Sequence, residues 1–189
     1  MKMLVVLNMA VAFGLFCSGI SWAGDHTYRL EPAESSIGFS FRSTLHGVQG
    51  QAHQLTGSLT ADPDGVGLVK NGRVIIDVGS MDTQEPQRDI NMKKMLELEK
   101  FPSITFEILG TQPLPGGRVL INGQLMIRDV RLPVEIEAAA QMKDGVFILS
   151  GATPLSLKKF ALKPPSVAMF IRVFDRVTVT FTAVFKEGA

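Results

Sequence analysis

From Ile37 almost to its end, this chain alternates apolar and polar residues at every second position. Successive side chains of a strand point to opposite faces, so a sustained period of two demands half-buried β-strands. Ile37, Phe39 and Phe41 alternate with Gly38, Ser40 and Arg42, and Leu55, Gly57 and Leu59 continue the pattern. Asp62-Pro63-Asp64-Gly65 reads as a turn, because proline presets φ and glycine accepts a positive one. Val74, Ile76 and Val78 alternate next, after an Asn71-Gly72 pair of the kind that closes hairpins. Ile104, Phe106 and Ile108 lead to a Pro-Leu-Pro-Gly-Gly turn and then to Val119, Ile121, Gly123, Leu125 and Ile127. Val130 to Ile136, a shorter run from Val146 to Ser150, and Val177 to Phe185 complete the series. About eight strands with short connections predict an all-β fold, either a sandwich or a closed antiparallel barrel. No internal repeat or second domain is expected.

The amino terminus has a different character. Lys2 is followed by an apolar run from Met3 to Phe16, broken only by Asn8, and then by Ser21-Trp22-Ala23. This is the layout of a secretory signal cleaved after Ala23, giving a signal peptide over 1–23 and one domain over 24–189. A retained anchor is the rival reading, since Met3 to Trp22 is just long enough to span a bilayer. Phe16 is too bulky for lipoprotein processing at Cys17. Cleavage removes the only cysteine and the only tryptophan, so packing alone must hold the domain, and thiolate chemistry is excluded. Without Lys2 the 19 basic residues become 18, against 18 acidic ones. No basic tract stands out, and no nucleic-acid partner is expected.

One stretch breaks the alternation. Within Arg88 to Lys100, Met92, Met95, Leu96 and Glu99 share one helical face, while Lys93, Lys94 and Glu97 take the other. A short amphipathic helix is therefore expected over about 88–100, ended by Pro102. Methionine is flexible and polarizable, and it suits a surface that adapts to variable apolar shapes. An ordinary cap on the end of a barrel would use the same residues. Asp89 is expected to cap this helix, Arg88 to pair with a carboxylate, and Asp82 to bond a backbone amide within its turn.

The same stretch carries a family resemblance. Ser80, Asp82 and Thr83 end a strand, Arg88-Asp89 opens the helix, and Phe101, Pro102, Ile104 and Phe106 begin the next strand. This segment resembles, position by position, the hallmark of the YceI-like family of secreted bacterial proteins. Tyr28 to Phe41 resembles the family's opening strand pair. Gly123 to Ile136 resembles its later hairpin, with Arg128-Asp129 at the turn, and Lys158 to Pro165 and Asp175 to Val177 resemble its closing segments. The resemblance implies an extended lipocalin-like antiparallel barrel in the periplasm, with an apolar interior that binds a long isoprenoid or related lipid. It implies no catalytic residues. The chain departs from the family pattern at His46, at Ala52-His53 and at Ile90-Asn91-Met92, where a cavity mouth or lid would lie.

Catalytic and metal patterns are weak. His46 and His53 are seven residues apart, which fits neither a zinc finger nor a helical metal pair, although strand pairing could still bring them together. His26 sits near a terminus. Neither a Gly-x-Ser-x-Gly elbow nor a His-Glu-x-x-His motif occurs. No catalytic set, metal or cofactor is expected.

The expectation is thus a periplasmic carrier, not an enzyme, that holds a long apolar isoprenoid-type chain inside the barrel. Its cavity would be lined by Phe39, Phe41 and Val78 from early strands and by Met92, Met95 and Leu96 from the helix. Phe106, Ile108, Ile121, Leu125 and Phe181 would complete it. Transient contact with a membrane or a membrane protein is a further expectation, and the oligomeric state is open. Two alternatives are a metal-dependent enzyme using His46 and His53, and a filled barrel that acts through its outer surface.

Overall fold

A computed structural model describes residues 25–62, 68–164 and 173–188; the expected leader, most of the Asp62–Gly65 turn and Pro165 lie outside these. The strands are β1 (His26–Leu30), β2 (Ser36–Ser43), β3 (Gly47–Ala52), β4 (Leu55–Ala61) and β5 (Val69–Asp77). After a 3-10 turn at Val78–Ser80 come β6 (Met81–Asp82) and the helix α1 (Pro86–Met95). Then follow β7 (Ser103–Leu114), β8 (Arg118–Ile127), β9 (Val130–Lys143), β10 (Val146–Ser156) and β11 (Val173–Glu187). All pairings are antiparallel, and β1 closes the sheet on β11.

The eleven segments make eight staves. Tyr28 faces Glu187 and Ile37 faces Phe181, so β1 and β2 lie end to end along one edge of β11. On their far side β4 pairs with β1 and β3 with β2; beyond these, β5 pairs with β4 and β6 with β3. Three staves are therefore broken in the middle, at residues 31–35, 53–54 and 78–80. Buried backbone must find partners, and each break supplies them locally. Glu31 N donates to Val184 O at 2.8 Å, and Val184 N donates to Ser35 Oγ at 3.0 Å. Asp77 accepts from Ser80 N at 2.8 Å, and Ser80 Oγ accepts from Gln54 N at 3.0 Å. The result is a closed eight-stranded antiparallel barrel with a single α-helix among the described residues.

The breaks divide the barrel into two unlike ends. At one end the inward residues fill the interior: Tyr28, Leu59, Val119, Phe147 and Phe185 are all at most 2% exposed, and the Tyr28 and Phe147 rings lie 6.3 Å apart. Toward the other end the inward residues become half-buried, as Val177, Val179 and Phe181 on β11 show, because no side chains meet them across the interior. A second apolar cluster, containing Leu96, Ile104, Leu125, Ile127, Phe160 and Leu162, gathers around α1 and the 157–164 loop at that end.

Several local expectations are corrected. Asn71-Gly72 closes no hairpin; both residues lie inside β5, where Gly72 faces Leu59 and Ile108. A Cβ on Gly72 would sit 2.9 Å from the Leu59 Cβ, so this glycine serves close strand approach rather than a turn. Val78 leaves the strand period because the Asp77 carboxylate turns the chain through its bond to Ser80 N. The helix is α1, Pro86–Met95, and it begins before Arg88 and ends well before Lys100. Its stop is Glu97 at φ 53°, not Pro102; the Leu96 and Leu98 amides bond the last carbonyls instead. Glu85, not Asp89, is the N-cap, and Pro86 follows it at the first helical position. β10 runs to Ser156, further than its apolar stretch alone suggested.

Candidate functional site

Between the filled end and α1 lies a cavity of about 460 Å³, within the range of small-molecule sites. Ile108, Ile121 and Phe185 form its floor, and strands β5 and β7 to β11 supply its wall. Phe39 and Phe41 from β2 and Val48 from β3 extend the wall beyond the breaks. α1 covers one side through Met92, Met95 and the following Leu96. The lining is overwhelmingly apolar. Polar side chains collect at the rim: Ser43 and His46 from the β2–β3 turn, and Glu85, Gln87, Arg88 and Asn91 from α1 and its cap.

Glycines let the aromatic walls lie flat. Phe39 lies across Gly50 of the neighbouring strand, where an added Cβ would come within 2.3 Å of the ring. Phe106 lies across Gly123 in the same way, at 2.5 Å. These rings take the space a side chain would occupy, and that keeps the centre of the barrel clear.

The helix is held at both ends. Asp89 Oδ1 reaches back to accept from Thr83 N at 2.9 Å and from the Thr83 hydroxyl at 2.5 Å, which fixes the chain that enters the helix. Asp82 accepts from Gln84 N at 2.6 Å, the turn bond expected of it. That bond, with further help from His53, holds the Asp82 carboxyl below its ordinary range. At the other end Arg128 bonds Glu97 and the Met95 carbonyl. Arg88 makes no ion pair among the described residues, contrary to expectation; it lines the cavity rim.

Ten of the eleven side chains expected at the cavity line it: Phe39, Phe41, Met92, Met95, Leu96, Phe106, Ile108, Ile121, Leu125 and Phe181. Val78 does not; it is 1% exposed and packs in the cluster behind α1. Sequence reasoning missed the 157–164 loop, whose Phe160 and Leu162 reach the cavity. Two large apolar residues spaced by one within a lysine-rich segment were the available signal. His46 and His53 stand at opposite ends of β3, seven extended residues or roughly 23 Å apart. His46 Nδ1 lies 2.8 Å from Gly47 O, and His53 lies 3.6 Å from Asp82. Among the described residues no three metal-ligating side chains converge.

The barrel has solved counterparts. Burkholderia cenocepacia BcnA superposes with a TM-score of 0.71 at 16% identity, covering 82% of this chain and 98% of that one. A polyisoprenoid-binding domain from Saccharophagus degradans, implicated in plant cell wall breakdown, gives 0.70 at 15% identity, covering 85% and 98%. A Campylobacter jejuni YceI protein gives 0.59 at 18% identity, covering 74% and 86%. No curated protein matches the chain by sequence. A model of the YceI-like domain matches residues 28–185, and the chain belongs to the YceI-like family.

Proposed function

We propose that this protein is a periplasmic carrier that holds one long apolar, isoprenoid-type lipid chain in its barrel. The observation that carries the reading is the unfilled end of the barrel: large inward side chains surround a space they do not occupy. An interior normally packs to crystal-like density, so an apolar void of this size invites an apolar occupant. Affinity would come chiefly from burial, at about 25 cal/mol per Å² before association costs. The Saccharophagus domain, titled as polyisoprenoid-binding, supports the ligand class. The charged and apolar order of residues 1–23 supports export to the periplasm with cleavage after Ala23.

Native mass spectrometry of freshly purified protein, followed by solvent extraction, tests the carrier reading. The expected result is a mass increment that extraction removes and that is recovered as a long-chain lipid. Protein purified from a native membrane-rich source with no bound lipid, and unable to take up added prenyl alcohols, would overturn it. Amino-terminal sequencing should begin at or near Gly24 in the soluble periplasmic fraction; Met1 on membrane-bound protein would overturn the location.

A further inference from the structure

The outer surface beside the cavity mouth combines two exposed apolar side chains with a cluster of cations. Leu45, at the tip of the β2–β3 hairpin, is 67% exposed, and Phe174, near the start of β11, is 51% exposed. Ser43 pairs with Val173, which sets the hairpin tip and the start of β11 along one side of the mouth. Leu45 is also presented by a fixed turn: Ser43 Oγ accepts from Leu45 N at 3.3 Å and from His46 N at 3.2 Å. Phe174 lies in a shallow groove between Arg42 and Arg176. The adjoining 157–164 loop adds exposed Lys158, Lys159 and Lys163.

The carboxylates nearby do not cancel this charge. Asp175 is engaged by the Ser156 hydroxyl at 2.7 Å and by Lys158 N at 2.7 Å. On the helix side of the rim Glu85 and Arg88 offset one another. Five fixed cations thus face one hydrogen-bonded acid on this side, in a domain whose formal charges sum to zero. Basic residues around protruding apolar ones suit a single kind of surface, a bilayer with anionic headgroups. The cations lie over the headgroups while the apolar tips enter the acyl boundary. The patch is also continuous with the cavity, because Leu45 lines the mouth as well as the outer surface. A membrane docked here would meet the cavity opening directly.

We propose that the Leu45–Phe174 edge, flanked by Arg42 and Arg176, is a docking surface for an anionic lipid bilayer and orients the cavity mouth toward the membrane. This goes beyond the carrier reading and does not require it, since vesicle binding reads the outer surface alone. Co-sedimentation of the purified protein with vesicles of phosphatidylcholine, with and without phosphatidylglycerol, tests it at low and high salt. Binding is expected only to the anionic vesicles and is expected to weaken with salt. Each surface cation contributes about a factor of five to partition, so Arg42→Gln with Arg176→Gln should weaken it roughly 30-fold. Phe174→Ser, which lies on the outer groove and not on the cavity wall, should also reduce binding, with the melting temperature and any lipid held in the cavity unchanged. Binding that ignores lipid charge, or that survives both the paired arginine variant and Phe174→Ser at equal folding, overturns the assignment. A protein that docks on vesicles but never holds lipid would sustain it and remove the carrier reading instead.

Discussion

Arg128 and Glu97 hold each other at 3.0 Å, and each occupies a left-handed backbone position, at φ 55° and φ 53°. One forms the two-residue turn between β8 and β9; the other ends the helical segment. Neither position favours a non-glycine residue. The ion pair explains why glycine is absent from both: each side chain is needed to fasten the helix to the barrel rim. Arg128 adds a bond to the Met95 carbonyl at 3.4 Å, one of the carbonyls a helix end leaves open.

Arg128→Ala is therefore expected to loosen α1 as well as to destabilise the fold. Loss of the pair and of the carbonyl bond should cost about 1–2 kcal/mol, since the arginine is only 19% exposed. Arg128→Gly removes the same bonds but relieves the left-handed cost, so it should be milder by about 0.5–1 kcal/mol. Denaturant unfolding of both variants, with hydrogen exchange along α1, checks this. Equal stability of wild type and Arg128→Ala would mean that the latch carries no weight.

What the sequence disclosed and what it hid divide along physical lines. A period of two is a property of each strand alone, so the staves and the inward phase of Phe106, Leu125 and Phe181 were readable. The breaks were not. Val78 continues the apolar period of Val74 and Ile76, and only the Asp77–Ser80 bond, formed in the folded chain, takes it out of register. Gly72 looked like a turn residue because Asn-Gly is a strong local signal, whereas its need is set by Leu59 on the facing strand. The helix face of Met92, Met95 and Leu96 was legible from spacing. The position of its end was not, because it depends on Arg128, which lies 31 residues further along the chain.

Gly123→Ala should damage the wall without touching the helix. The new Cβ would lie 2.5 Å from the Phe106 ring and 2.6 Å from the Glu107 carbonyl oxygen. The backbone oxygen cannot swing aside, so the strand pair itself must shift. A loss of about 1–3 kcal/mol is expected, as for overpacking elsewhere. Thermal unfolding that leaves the variant as stable as wild type would show that β7 and β8 can separate freely at this point.

Acid should loosen the 157–164 loop through Asp175. The Ser156 hydroxyl first, and then the Lys158 amide, hold its carboxyl below the ordinary carboxylate range of about 3.9. A depressed folded value means the stabilisation is present above the ordinary value and is lost as pH falls through the folded one. The loss should therefore appear only below about pH 4. Asp175→Asn removes the titration, so its unfolding midpoint should fall less steeply below that pH than the wild type's. Parallel acid limbs for the two proteins would mean that the carboxylate is not linked to folding.

The last test asks whether the void is a site or merely a gap. Val179 faces the cavity from β11 and is half-buried, because the space before it is empty. Val179→Trp would push a large ring into that space, and with room to receive it the change should cost less than about 1 kcal/mol or even stabilise. Retained lipid should fall sharply at undiminished stability. Met95→Ala works from the opposite side: it removes lid contact and should lower retention while costing at most the 2–5 kcal/mol of a fully packed methionine. Half-burial places it toward the lower end of that range. The two variants change the cavity volume in opposite senses, so a loss of lipid in both cannot be blamed on stability alone. Undiminished lipid in Val179→Trp, at wild-type folding, would place the ligand elsewhere and leave the barrel's open end without an occupant.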